Sequence, residues 1–151
     1  MKVLVSACLN GVCCRYDGSN ADIHLGDKYP QIELVPVCPE VMAGLTIPRN
    51  NVEITNGIIV DNTGADLTKA FTEGANKALA VALKHQCRVA LLKSKSPSCG
   101  QGLRYDGTFS GNLVARDGIF AALLKEHNIK VFTENELAEF EAYLMGHNLL
   151  K

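Results

Sequence analysis

Short β-branched runs alternate along this chain with apolar stripes at three- and four-residue spacing, and that alternation leaves few architectures open. Residues 2–7 (KVLVSA), 32–37 (IELVPV), 88–93 (RVALLK) and 129–132 (IKVF) read as buried strands. Pro36 has no N–H to give a ladder, so the second run belongs at a sheet edge or ends there. From Asp66, the positions Leu67, Ala70, Phe71, Ala75, Ala78, Leu79, Ala82 and Leu83 fall on one face of a helix reaching about residue 86, with Asp66 as its N-cap. Ile119, Phe120, Leu123 and Leu124 mark a second helix, capped by Asp117. Thr133 with Glu136 is a capping-box pattern opening a third helix through Leu137, Phe140 and Leu144. Asn56-Gly57 inside VEITNGIIVD (52–61) is the pair that a tight hairpin turn demands. The pattern predicts one α/β domain over residues 1–151, its largely parallel sheet covered by helices on both faces, with a β-hairpin insertion.

At 47% hydrophobic residues the chain can fill a core of that kind. Its 15 basic and 16 acidic residues are interspersed, giving a formal charge of −1, so no basic face advertises nucleic acid or a lipid surface as the primary partner. The opening MKVLVSACLNG lacks the longer apolar region and cleavage site of a signal peptide, and no segment approaches a membrane span. A cytoplasmic protein with a small-molecule ligand is expected.

In a reducing compartment six cysteines do not form a disulfide framework, least of all with Cys13 and Cys14 adjacent. Three of them, Cys8, Cys38 and Cys99, lie just beyond the carboxyl ends of expected strands, where open α/β sheets place their ligand sites. Cys13 and Cys14 share the Cys8 loop and are alternatives to it. Cys87, at a helix end before a strand, lies on the opposite edge and reads as a small buried hydrophobe. Three converging thiolates suit a soft metal centre, either zinc with one open position or an iron–sulfur cluster. A four-iron cluster held by three cysteines leaves one iron free for substrate.

The polar residues near these cysteines are compatible with chemistry and equally with ordinary loops. Glu40, two residues after Cys38, is a candidate proton acceptor or a solvated carboxylate. Ser96 and Ser98, flanking Pro97, are candidate donors to a ligand or turn formers; Lys93 and Lys95 read as solvated charges. The four histidines sit beside no motif, and GQG at 100–102 is a lone GxG without a nucleotide fingerprint. The short repeat RYDGS (15–19) and RYDGT (104–108) reads as an Asp-Gly turn used twice.

The strings VSACLNGVCCRYDG, VPVCPEVMAGLTIPR and LLKSKSPSCGQGLRYDGTFSGNLVARDG, in order from about residue 3 to 118, resemble the TudS-type thiouracil desulfidases, a bacterial family. The resemblance implies a Rossmann-like α/β domain that holds a [4Fe-4S] cluster by three cysteines, with substrate sulfur meeting the fourth iron. By motif it carries the ligands onto Cys8, Cys38 and Cys99, and a catalytic pair onto Glu40 and Ser96. Asn10, Thr46, Asn50 and Asn51 depart from the family pattern.

The implied reaction is hydrolytic desulfuration of a thiolated pyrimidine with release of hydrosulfide. Glu40 would activate water, Ser96 would orient substrate or shuttle a proton, and Arg49 would contact a substrate carbonyl. Two rivals stand beside it. CPE and SPSCG echo the zinc deaminase signature, although Cys99 is followed by no second cysteine in CxxC spacing. A non-catalytic iron–sulfur sensor or sulfur carrier would use the same ligands without turnover.

Overall fold

A computed structural model describes residues 2–147; Met1 and residues 148–151 lie outside it. The strands are β1 (Lys2–Ser6), β2 (Glu33–Val37), β3 (Val52–Thr55), β4 (Ile58–Asp61), β5 (Val89–Leu92), β6 (Arg104–Tyr105), β7 (Leu113–Val114) and β8 (Lys130–Thr133). The helices are α1 (Leu25–Lys28), α2 (Pro39–Met42), α3 (Thr68–Lys84), α4 (Ile119–Glu126) and α5 (Leu137–Gly146), with a 3-10 turn at Ala7–Asn10 and another at Glu134–Glu136. Four strands form a parallel sheet in the order β2-β1-β5-β8. Pro36 lies in β2, which bonds to β1 alone, so its missing N–H breaks no ladder.

Both faces of this sheet are buried, which is why its strands read as unbroken apolar runs. On one face Leu4, Val35, Ala90, Leu92 and Val131 pack against Ala75, Ala78 and Ala82 of α3 and Phe120 and Leu124 of α4. On the other, Val3, Val5, Val89, Leu91 and Phe132 meet Leu25 and Tyr29 near α1 and Phe140 and Leu144 of α5. Side chains alternate along each strand, so neighbouring residues serve opposite cores. The Thr133/Glu136 capping box forms: Glu136 Oε1 accepts the Thr133 N–H at 3.1 Å ahead of the last helix.

β3 and β4 make the antiparallel hairpin, turning through Asn56 at φ 50° and Gly57 at φ 78°, the left-handed pair of a two-residue loop. Its inner face carries Val52, Ile54 and Ile59 against Phe71 of α3.

Two helix starts differ from expectation. The N-cap of α3 is Leu67; Asp66 stands one residue outside and accepts the Thr68 N–H at 2.9 Å. Nor does Asp117 cap α4. Gly118 takes that position, and the Asp117 carboxylate instead binds the Gly102 N–H at 2.7 Å and the Lys125 ammonium at 3.0 Å. The first N–H groups of α4 need no side chain because carbonyls of a distant loop satisfy them, an arrangement invisible to local patterning.

One close approach ties the helical layer to the segment after β2. A Cβ added to Gly74 of α3 would lie 2.0 Å from the Pro39 carbonyl and 2.9 Å from the Ala43 side chain, so α2 sits directly on the glycine. Gly74→Ala is expected to destabilise the fold by about 1–3 kcal/mol through overpacking, read from urea unfolding. An unchanged midpoint would mean that α2 moves aside freely.

Candidate metal centre

The carboxyl ends of β1, β2 and β5 open into one cavity of about 280 Å³, and Cys8, Cys38 and Cys99 all line it. Cys8 sits in the 3-10 turn that follows β1, closed by Gly11 at φ 87°, a left-handed position that glycine adopts without strain. Cys38 is the N-cap of α2, and Pro39 at the first helical position turns the chain sharply so that Glu40 follows into the cavity wall. The Cys99 loop is held by Ser96, whose Oγ accepts the N–H groups of Ser98 at 3.1 Å and Cys99 at 3.0 Å.

That loop is fastened from outside by α4. The Ile119 N–H donates to the Pro97 carbonyl at 2.8 Å, the Phe120 N–H to Ser98 at 2.8 Å, and the Gly118 N–H to Gly100 at 2.7 Å. A Cβ on Gly118 would stand 2.6 Å from the Ser98 carbonyl and 2.7 Å from that of Ser96, so only glycine allows the contact.

Cys14, left open by the sequence, belongs to the same group. It is 4% exposed, lines the cavity, and its thiol interacts with those of both Cys38 and Cys8. Its neighbour Cys13 is exposed, with its sulfur 3.4 Å from Asn20 Nδ2. Cys87 is buried in the core beneath α3 and α4 and does not line the cavity. Ser6, the last residue of β1, is a further missed participant. Its buried hydroxyl accepts the Lys93 N–H at 2.9 Å and offsets part of the rise that burial imposes on the Cys99 thiol. A polar residue closing an otherwise apolar strand was the available signal.

Crowding and burial raise Cys14, Cys38 and Cys99 above the ordinary cysteine range. Burial leads for Cys99; for Cys38 the hydrogen bond with Cys14 leads and burial adds. Cys14 is pushed up to about 11, the bond to Cys38 lowering it while the bond to Cys8 and burial outweigh that. Thiols so packed keep their protons until a cationic centre compensates the charge, which is the chemistry of a metal–thiolate site. Among the described residues, no three His, Cys, Asp or Glu side chains close around a single ion position. Ligands gripping the corners of a polynuclear cluster need not approach one another as those of one tetrahedral ion must, so the donor set fits an iron–sulfur cluster better than lone zinc.

Glu40 and Arg49 form an ion pair at 3.2 Å with side chains only 14% and 8% exposed. The other Glu40 oxygen accepts from the Ser98 hydroxyl at 3.5 Å; Ser98 is fully buried, so it does more than form a turn. Burial raises the Glu40 carboxyl above its ordinary value, with Arg49 and Ser98 offsetting part of the effect. Arg49 lines the cavity, and it also donates to the carbonyls of Cys14 at 2.9 Å and Thr46 at 3.3 Å, clasping two loops to Glu40. Ser96 lines the cavity as well. Lys93 is not simply solvated: it pairs with Glu134 at 2.8 Å, and Glu134 accepts the Ser94 N–H at 2.7 Å. No histidine lines the cavity among the described residues.

An α/β protein with a thiol-rich cavity at its strand ends and a buried carboxylate beside it is the class defined so far. The family model of 2-thiouracil desulfurase matches residues 3–136, and the chain belongs to that family. It is 41% identical over 146 residues to the protein YbbK of Bacillus subtilis (strain 168), covering 89% of this chain and 97% of the relative. A solved structure of a [4Fe-4S]-dependent thiouracil desulfidase, TudS, is similar with TM-score 0.88 and 41% identity, over 95% of this chain and 97% of that one.

Two outcomes test the geometry. Gly118→Ala is expected to cost about 2 kcal/mol and to expose Cys99, 5% accessible in the native fold, to a thiol-alkylating reagent in the metal-free protein; unchanged alkylation would mean that α4 does not hold the loop. For Glu40, the folded-state value lies above the ordinary 4.5, so the folded protein keeps a proton the unfolded chain has released. Stability from this group is therefore full below 4.5 and lost as pH rises through the raised value. Across that window wild-type metal-free protein should lose stability relative to Glu40→Gln in urea unfolding, and parallel curves would contradict the raised value.

Proposed function

We propose that the chain, acting as one unit over residues 1–151, hydrolytically desulfurates a thiolated pyrimidine base of the thiouracil type and releases hydrosulfide. The observation that carries this reading is the meeting of three strand-end thiols with a buried carboxylate in one cavity, in a chain 41% identical to a [4Fe-4S]-dependent thiouracil desulfidase. Cys8, Cys38 and Cys99 hold a [4Fe-4S] cluster, which when bound supplies a Lewis-acidic iron for the substrate sulfur.

The remaining work falls to side chains. Glu40, kept ionised by Arg49 and made a stronger base by burial, takes a proton from the water that attacks the sulfur-bearing ring carbon. Ser98 and Arg49 hold that carboxylate from two sides. Ser96 accepts two backbone N–H groups and so retains its hydroxyl proton to donate to the substrate or to shuttle. The carbon exchanges sulfur for oxygen at constant oxidation state: thiouracil and water give uracil and hydrogen sulfide. Arg49, already engaged by three protein acceptors, steers Glu40 and offers its remaining donors to a substrate carbonyl. The substrate is a small molecule, and the cytoplasm is the proposed location, in keeping with six free cysteines. No helix among the described residues is long and apolar enough to cross a membrane.

Anaerobic reconstitution should give a coloured protein with about four irons and matching sulfide per chain. It should convert 2-thiouracil to uracil with sulfide release. Cys8→Ala, Cys38→Ala and Cys99→Ala should each lose the cluster, whereas Cys14→Ala keeps it; the opposite result for Cys8 and Cys14 would exchange their roles. Glu40→Gln should retain iron and lose turnover by at least about 100-fold. Full activity in a cluster-free Cys99→Ala protein would refute the reading.

A further inference from the structure

The repeated RYDG motif has no part in the chemistry just described, yet both of its tyrosines line the thiol cavity. The two copies fold into the same turn. Asp17 Oδ1 accepts the Ser19 N–H at 3.0 Å, and Asp106 Oδ1 accepts the Thr108 N–H at 2.9 Å, with the intervening Gly18 and Gly107 at φ 82° and 95°. Each turn is then pinned to a different part of the fold. The Tyr16 carbonyl accepts the Arg49 N–H at 2.8 Å. In the second turn, the Gly107 and Phe109 N–H groups donate to the buried Glu53 carboxylate of β3 at 3.0 and 3.2 Å, and Thr55 Oγ1 donates to the Gly107 carbonyl at 2.8 Å. A Cβ on Gly107 would fall 2.2 Å from Thr55 Oγ1, so the turn is seated on the hairpin without slack.

The other two tyrosines serve the core. Tyr29 donates to Glu141 and meets Phe140 edge-on, and Tyr143 stacks on His147 and tilts against Phe132. Tyr16 and Tyr105 make no ring–ring contact and no side-chain hydrogen bond among the described residues, and Tyr16 is 41% exposed. Two rings held on rigid turns, unpartnered, and facing a cavity otherwise rich in thiol, carboxylate and cationic groups present flat apolar faces that a planar heterocycle can cover.

We propose that Tyr16 and Tyr105 are the ring-recognition residues of this enzyme, stacking on the pyrimidine while the thiol floor and Glu40 meet its sulfur-bearing carbon. The inference rests on the desulfidase reading and deepens it: selectivity for cyclic aromatic thioamides over acyclic ones resides in this pair. Stacking a base on an aromatic side chain contributes enough for removal of either ring to weaken binding about tenfold.

The test uses reconstituted holoprotein, with calorimetric affinity for uracil, the unreactive product, beside steady-state kinetics on 2-thiouracil and on thiourea, which shares the reacting group and lacks the ring. Tyr16→Leu and Tyr105→Leu should each weaken uracil binding about tenfold and raise KM for 2-thiouracil in step, with kcat, iron content and turnover of thiourea unchanged. Tyr16→Phe and Tyr105→Phe should behave as wild type. Leucine variants with wild-type uracil affinity overturn the proposal, as does a loss of thiourea turnover in proportion, which would mark general damage to the cavity. Wild-type protein that loads a cluster but releases no sulfide refutes the desulfidase reading, while the uracil affinities still decide the role of the tyrosines.

Discussion

The loop that carries Cys99 is held by the amino end of α4, and most of the site depends on that contact. A helix begins with N–H groups that have no partner inside it, and leaving one buried and unpaired costs about 1–3 kcal/mol. Here the acceptors are the Pro97 and Ser98 carbonyls, with Gly118 bonding Gly100 alongside. The helix cannot be capped without bringing the loop home, and the loop cannot be placed without orienting Cys99 and burying Ser98 against Glu40. Glycine at 118 and at 100 is what permits backbone to meet backbone there; a Cβ at either would come within 2.6 Å of a carbonyl oxygen.

Charge is arranged around the cavity in a similarly coupled way. Four thiols, three of them with raised affinity for protons, crowd one end. Arg49 answers Glu40, and Lys93 answers Glu134, so both of these carboxylates have a cation at contact distance. Neither pair is a surface ornament, because with side chains mostly withdrawn from water an unmatched partner would be costly. The same Arg49 spans from Cys14 to Thr46, so the electrostatic partner of the Glu40 carboxylate also sets the position of two loops.

Much of this was legible in order along the chain. Strand and helix periods, the Asn56-Gly57 turn, the Thr133/Glu136 box and the edge placement of Pro36 depend on neighbours within a few residues, where side-chain geometry is local. Asp117 is displaced as a cap because carbonyls of a distant loop reach the first N–H groups of α4, whereas Asp66 still serves the first N–H of α3 from one residue farther out. Cys14 and Cys13 could not be told apart from sequence, because which of two adjacent loop residues turns inward is decided by the loop path. Ser98 was ambiguous for a similar reason, since its partner Glu40 lies 58 residues away.

By itself the sequence determined the α/β alternation, the three cysteines beyond strand ends, and the motifs that mark the family, because each is written in residue type and short spacing. Only the tertiary structure decided that Cys14 joins the thiol group, that Ser6 and Ser98 support Cys99 and Glu40, and that two RYDG turns far apart in sequence face one cavity. A parallel sheet forces long crossovers between neighbouring strands, so the residues gathered at its carboxyl edge come from distant segments whose packing no local pattern encodes.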